Sequence, residues 1–138
     1  MSARVLSRDE LPVTAEGDVV TVRRRAQAVA HERGLGTFAV AAITTAASEL
    51  ARNTLTHGGG GEAIVEAIER GGKHGVRMVF RDTGPGIADL SRALLGGYST
   101  AKSLGLGLSG SKRLVDEFEV DTAPGKGTVV TVVKWARF

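Results

Sequence analysis

Glycine clusters are the feature that most constrains this chain, because they divide it into apolar segments that must each form one regular element. Nineteen of the 138 residues are glycine, about twice the usual frequency. Sixteen of them gather at 58–61, 71–75, 84–86, 96–97, 105–110 and 125–127. Hydrophobic residues make up 42% of the chain, which is enough for an ordinary core. Clustered glycine beside a normal core predicts several loops with demanding backbone geometry rather than disorder.

Two helices are predicted in the first half of the chain. Between residues 18 and 33 apolar side chains recur at helical spacing, and Gly34 stands where such a helix would stop. A second helix is predicted over 37–57, with Thr37 as its N-cap and a glycine run as its exit.

Five strands are predicted from alternation and turn signals. Residues 62–69 are interpreted as a strand because a glycine-rich turn joins them to 76–82, where apolar and charged residues alternate. The predicted strands are 11–15 (a short edge strand), 62–69, 76–82, 117–123 and 128–135.

The order of elements indicates the fold class. A third helix is predicted over 107–117, after a segment at 87–104 that has no strong periodicity and is interpreted as a mobile loop with one turn of helix. The order β-α-α-β-β-loop-α-β-β predicts an α/β two-layer sandwich, with a mixed, mostly antiparallel sheet of about five strands covered on one face by about three helices. Residues 1–138 are expected to form a single domain.

Composition excludes several classes of site. The chain has no cysteine, so disulfides and thiolate metal sites are ruled out. Its three histidines, His31, His57 and His74, lack ligand spacing and are expected at the surface or at caps. No signal peptide or membrane span is recognised, so we expect a cytoplasmic protein. A net charge of +3 is a mild excess, and the run Arg23–Arg25 is interpreted as a solvated helix face rather than a nucleic-acid patch.

Glu49 and Asn53 are the first candidate functional residues. They lie four positions apart in the second predicted helix, so their directions differ by only about 40°. A carboxylate that accepts protons and an amide oxygen suited to Mg²⁺ would then emerge on one helix face. Taken alone, such a pair is more often simply solvated.

Three glycine motifs follow in chain order. DTGPGI, at 82–87, comes directly after a strand, and by itself it is typical of a turn. The pattern GxGxxG at 105–110 is interpreted as the opening of a helix, where backbone N–H groups and the helix dipole favour an anion. It is neither a Rossmann fingerprint nor a P-loop. GKGT, at 125–128, is a turn that enters the last strand.

The four motifs together resemble those of the GHKL ATPases, which share the Bergerat ATP-binding fold. ITTAASELARN, DTGPGI, GYSTAKSLGLGL, KRLVDEF and APGKGT, with the final KW, resemble the serine/threonine kinases of bacterial sigma-factor partner switching, and most of all the RsbT type. The resemblance covers about residues 10–136.

The resemblance implies a nucleotide site for ATP and Mg²⁺. It assigns adenine recognition to Asp82, with Thr128 at the same end, close backbone passage to Gly84 and Gly86, and Mg²⁺ coordination to Asn53. An ATP lid is expected at 88–104. The remaining residues assigned to the nucleotide are Ile87, Ser99, Thr100, Gly105, Leu106, Gly107, Leu108 and Gly110.

The resemblance also implies a protein kinase, with Glu49 as general base. The expected phosphoacceptor is a serine or threonine of a STAS-domain antagonist or scaffold protein, as in stressosomes. Once released, the kinase would bind and activate a PP2C-type phosphatase. Three alternatives stay open: a kinase that binds a sigma factor directly, an ATP-regulated adaptor without catalysis, and, as an outside possibility, a basic nucleic-acid module.

Overall fold

An antiparallel sheet carries helices on one face in the computed structural model, which describes residues 3–87 and 102–137 and, for 102–107, the backbone alone. Within these residues there are five strands and three helices. The strands are β1 (Arg4–Val13), β2 (Gly61–Arg70), β3 (Lys73–Asp82), β4 (Glu117–Thr122) and β5 (Thr128–Trp135). The helices are α1 (Glu16–Glu32), α2 (Thr37–Thr56) and α3 (Lys102–Leu114). The predicted fold class is confirmed.

The sheet order is β1-β2-β3-β5-β4, and every neighbouring pair is antiparallel. Strand β5 therefore inserts between β3 and β4. In this register Asp82 lies opposite both Gly61 and Thr128, and Thr128 lies opposite Thr122. The end of β3 and the start of β5 thus meet at one end of the sheet.

The core lies between the sheet and the helices, and strand alternation builds it. Odd residues of β2 and even residues of β3 face the helices, as a period of two requires. They pack against apolar stripes on α1 and α2, which the helical spacing of the sequence predicted. The fully buried core side chains with the largest volume include Phe80, Ile43, Leu50, Met78, Val22 and Val65.

An aspartate in the first turn of helix α1 caps the backbone that precedes the helix. Asp18 Oδ2 accepts the N–H groups of Thr14 at 2.9 Å and Ala15 at 3.0 Å, and the Thr14 hydroxyl at 3.3 Å. The Thr14 N–H is the main reason why the pKa of Asp18 is below its ordinary value of 3.8. This contribution to stability is therefore present above pH 3.8 and is lost as the pH falls through the lowered pKa.

Two predicted boundaries, in α2 and β1, are corrected. The N-cap of α2 is Gly36, in extended conformation, because Thr37 is already the first helical residue, and no side chain caps the helix there. The edge strand begins at Arg4 rather than at residue 11, since its polar residues are held by pairing with β2, including the Arg4–Glu69 ion pair at 3.1 Å. Pairing to a neighbouring strand here overrides a weak local pattern.

Helix α3 also differs from its prediction. It begins at Lys102, so the GxGxxG motif lies inside the helix instead of opening it. Glycine lowers helix stability without forbidding a helix. The helix ends at Leu114 because the chain turns into the sheet, where the N–H of Asp116 donates to the carbonyl of Val133 at 2.9 Å. The loop predicted at 87–104 lies largely outside the described residues.

None of the helices in the described ranges combines the length and the hydropathy needed to cross a membrane.

Candidate functional site

A pocket opens where the C-terminal half of α2 meets the end of β3, the start of β5 and α3. Its empty space, including the open mouth, is about 410 Å³. It is lined by Leu50, Asn53, Thr54, His57, Gly58, Phe80, Asp82, Gly86, Ile87, Leu108, Thr128 and Val130. Three of the four sequence motifs therefore converge here, together with one leucine of the GxGxxG segment.

The pocket has an apolar floor and a polar rim. Leu50, Phe80, Leu108 and Val130 are all at most 5% exposed and belong to the core. Polar groups are supplied around this floor by separate elements. An apolar slot with a few convergent polar groups is the usual form of a small-molecule site.

Asp82 ends β3 and is held in a tight backbone setting. One carboxylate oxygen, Oδ1, accepts the N–H of Gly84 at 3.0 Å. The other, Oδ2, has no hydrogen-bond partner within the described residues. A Cβ on Gly58 would stand 2.3 Å from Asp82 Cγ, and one on Gly84 would stand 2.8 Å from Gly58 Cα. Only glycine at these two positions lets the segment after α2 pack so closely against Asp82 and against the loop that follows it.

Residues 82–87 form a loop that is fastened to the β4–β5 turn. Gly86 adopts φ +75°, which favours glycine, and a Cβ there would lie 2.0 Å from the carbonyl oxygen of Ala123. Gly125 N–H donates to the Pro85 carbonyl at 2.6 Å. Ile87 N–H donates to Thr122 Oγ1 at 3.0 Å. The glycines of DTGPGI thus serve a close contact between two backbone segments.

Thr122 is a residue that the motifs did not reveal. Besides accepting the Ile87 N–H, its hydroxyl donates to the Gly127 carbonyl at 2.9 Å and lies 2.9 Å from Thr128 Oγ1. One hydroxyl therefore connects the DTGPGI loop, the GKGT turn and the threonine predicted at the adenine end. No motif in the sequence marks Thr122. Its position follows from the pairing of β4 with β5, which sets Thr122 opposite Thr128.

Asn53 lines the pocket from α2. Its main-chain carbonyl accepts the N–H groups of His57 at 2.9 Å and Gly58 at 3.1 Å. Its side-chain nitrogen is buried and has no hydrogen-bond partner in the described part of the chain. Such an amide can turn its oxygen into the pocket, so this residue fits the predicted role of a Mg²⁺ ligand. No cluster of three acidic or histidine side chains suited to a metal occurs within 3–87 and 102–137.

Glu49 lies one turn before Asn53 but outside the pocket lining. Its side chain is exposed and makes no hydrogen bond or ion pair with the described residues. The carboxylate therefore faces solvent at the side of the pocket. Arg52, the other charge on this turn, is engaged elsewhere, because its guanidinium pairs with Glu16 of α1 at 3.2 Å.

The structure describes only part of the segment predicted to bind phosphate. Leu108 is 1% exposed and lines the pocket. A Cβ on Gly110 would meet nothing within 4 Å, so packing does not require glycine there. Gly105, Leu106 and Gly107 belong to the backbone of α3. Ser99 and Thr100, and most of the predicted lid, lie outside the described residues.

His57 was expected at the surface or at a cap. It is the C-cap of α2, and it also lines the pocket. The apolar floor residues Leu50, Phe80 and Val130 were likewise not predicted as site residues, although their alternation or helical spacing marked them as core.

Comparison with known proteins gives one family match and several relatives. The model of the histidine kinase-like ATPase domain matches residues 11–134. The serine/threonine-protein kinase RsbT of Bacillus subtilis (strain 168) is 42% identical over 125 residues, which cover 91% of this chain and 94% of that protein. The anti-sigma F factor of Thermoanaerobacter sp. (strain X514) is 32% identical over 102 residues, 70% of each chain.

A solved structure gives a likeness of fold alone. It is a chain of the SiaB–SiaC complex from Pseudomonas aeruginosa, at 13% sequence identity and a TM-score of 0.55. The match covers 96% of this chain and 91% of that one.

Substitution of Thr122 tests whether its hydroxyl holds the DTGPGI loop in place. Thr122→Val should expose the Ile87 amide to exchange and destabilise the protein by about 0.5–1.5 kcal/mol, because part-buried groups lose their hydrogen bonds. Thr122→Ser, which keeps the hydroxyl, is the matched control. Amide hydrogen exchange and thermal unfolding measure both effects. Unchanged Ile87 protection in Thr122→Val would contradict the role given to this hydroxyl.

Proposed function

This chain belongs to the histidine kinase-like ATPase domain family and to its serine/threonine-protein kinases of the RsbT type, and we propose that it transfers the γ-phosphoryl group of ATP to a serine or threonine of a partner protein. The observation that carries the proposal is the convergence of Asn53, Asp82, Gly86 and Thr128 on one apolar pocket. These residues come from three distant parts of the sequence and belong to the motifs identified in the sequence, all of which lie within the range matched by the family model.

The adenine end is proposed at Asp82 and Thr128. The unpaired Oδ2 of Asp82 is an acceptor for an exocyclic amino group, and the neighbouring floor of Phe80 and Val130 suits the face of a base. Thr128 borders the same space, and its hydroxyl is oriented by Thr122. Ile87 adds an apolar side to this end of the pocket.

The phosphate end is proposed at Asn53 and the GxGxxG segment. Asn53 is the residue that would hold Mg²⁺, which when bound neutralises phosphate charge and orients the transferred group. Because 105–110 lie inside α3, their backbone N–H groups are used by the helix. We propose instead that the absence of side chains at Gly105, Gly107 and Gly110 lets the phosphates come close to α3, beside Leu106 and Leu108. Ser99 and Thr100 are proposed to contribute from the lid at 88–104. Phosphoryl transfer needs mostly positioning and charge stabilisation, and this division of roles supplies both.

Glu49 is proposed as the general base. The hydroxyl that it must deprotonate belongs to another protein and arrives from solvent. An exposed carboxylate one turn from Asn53 is therefore better placed for this role than one buried among the pocket residues.

The proposed phosphoacceptor is a STAS-domain antagonist or scaffold protein of a partner-switching pathway in the cytoplasm. A phosphate added to its contact surface would bring about two negative charges and weaken the complex. The released kinase would then bind and activate a PP2C-type phosphatase. The relative at 42% identity is named a serine/threonine-protein kinase, which supports phosphotransfer to a protein, while the STAS and PP2C partners rest on the family resemblance.

A second candidate is a kinase that binds a sigma factor directly. It is favoured by the 32% identity to a protein named an anti-sigma F factor. Co-purification with a sigma factor in place of a STAS protein or a phosphatase distinguishes it from the first.

The role of Glu49 is tested by Glu49→Gln. Transfer from labelled ATP to the STAS partner should slow by about 10²–10⁴-fold, while Mg-ATP binding stays unchanged. Glu32→Gln, on the exposed end of α1, is the matched control. Undiminished transfer by Glu49→Gln would remove this residue as the base, and tight ATP binding without any transfer by the wild type would favour a non-catalytic adaptor.

Gly110 offers a test of the phosphate segment that separates folding from function. Alanine fits its open surroundings and favours a helix by up to about 1 kcal/mol, so Gly110→Ala should raise the free energy of unfolding. It should nevertheless lower ATP affinity, because the added methyl hinders close approach of the backbone to phosphate. Gly17→Ala, in the equally open first turn of α1, should stabilise without affecting ATP. Equal ATP affinity in the two variants would contradict the proposed cradle.

A further inference from the structure

A second concave surface, here called the basic groove, lies at the opposite end of α2 from the nucleotide pocket. Its walls are the first turns of α2, the last turn of α3, the start of β3 and the residues that end and follow β5. Its empty space, including the open mouth, is about 1410 Å³. The residues that matter below are Phe38, Lys73, Arg113, Lys134 and Arg137, with Asp116 among them.

The groove is strongly positive. It contains four basic side chains and one acidic side chain. Asp116 is already engaged, since its carboxylate accepts the Trp135 N–H at 2.7 Å and pairs with Lys134 at 3.4 Å. Lys73, Arg113 and Arg137 are exposed and form no ion pair with the described residues. Three unpaired cations therefore surround one cavity.

Phe38 supplies an exposed aromatic ring beside these cations. It is 92% exposed, whereas the next most exposed large apolar residue in the described ranges, Val5, is 43% exposed. It stands at the second position of α2, next to the small groove residues Ala39 and Ala42. An apolar side chain entering the groove would find this ring and the alanine wall together.

The groove is too far from the pocket to present a hydroxyl for phosphorylation. From Phe38 to Asn53 the helix rises about 22 Å. A segment bound in the groove therefore leaves the nucleotide pocket open and is not itself the phosphoacceptor site.

We propose that the basic groove is a docking surface for a partner protein, which presents an acidic segment carrying one apolar anchoring residue. Charge complementarity argues for an acidic occupant, and Phe38 with its alanine wall argues for the anchor. A second copy of this chain is disfavoured, because a two-fold contact would bring two positive grooves face to face. The proposal goes beyond phosphotransfer, since it assigns a partner surface away from the reacting groups.

Backbone amide shifts of the isotope-labelled full chain test this with two short synthetic peptides. One carries glutamates around a central leucine, and the other has glutamine at each glutamate position. The acidic peptide should shift the amides of the first turn of α2 and of Lys73, Arg113, Lys134 and Arg137, but not those of Asn53 or Asp82. The glutamine peptide should bind at least about tenfold more weakly.

Variants of the chain sharpen the test. Arg113→Glu with Arg137→Glu should weaken binding of the acidic peptide at least about tenfold, and Phe38→Ala at least about fivefold. Arg23→Glu with Arg24→Glu, on the exposed face of α1, makes the same change of charge elsewhere and should have no comparable effect.

Several results would overturn the proposal. They are the absence of shifts in the groove, an equal loss of binding in the α1 control, equally tight groove binding by a DNA or RNA oligonucleotide, and self-association that Phe38→Ala abolishes. Mg-ATP binding is measured on the same samples. The docking proposal is decided by the peptide shifts whatever the ATP result, so its failure is distinguishable from failure of the proposed kinase function.

Discussion

The pairing of β5 with β3 is the interaction on which the candidate pocket depends. It sets Asp82 beside Thr128, although the two lie in separate motifs, and β4 then adds Thr122 to the same row. The Thr122 hydroxyl connects this row to the loop of residues 82–87 and to the Gly127 carbonyl. Antiparallel register thus brings together Asp82, Thr122 and Thr128, which lie on three different strands.

Close backbone packing around Asp82 follows from the same pairing. Glycines 58 and 84 bring the end of α2 and the DTGPGI loop against the aspartate, and Gly86 brings that loop against the β4–β5 turn.

Helix α2 connects the candidate pocket with the basic groove. It carries Asn53 near its C-terminal end at the pocket and Phe38 at its N-terminal end at the basic groove. The two proposals therefore place nucleotide and a docked partner at the two ends of this helix.

Strong local patterns made most of the fold predictable. The hairpin of β2 and β3, the order of elements and the ends of α1 followed from alternation, helical spacing and glycine stops. The extension of β1 back to Arg4 was missed because pairing with β2, and no local pattern, holds it in place. The start of α3 was missed because glycines were interpreted as loop, whereas a helix can include them at moderate cost.

The candidate site was predictable as far as short motifs encode it. Asn53, Asp82, Gly86, Ile87, Leu108 and Thr128, all taken from the motifs, line one pocket, and their roles toward ATP stay predictions. The role of Thr122 and the basic groove were not predicted, since both depend on residues that only strand register and helix packing bring together.

Mg-ATP calorimetry on wild type, Asp82→Asn and the exposed control Asp121→Asn tests the central claim, an adenine pocket at Asp82, most directly. Asparagine has one acceptor for both the Gly84 N–H and an adenine amino group, so we predict affinity about 10–100-fold lower for Asp82→Asn alone. Equal affinity in all three proteins, or no binding by folded wild type, would contradict an adenine pocket at Asp82.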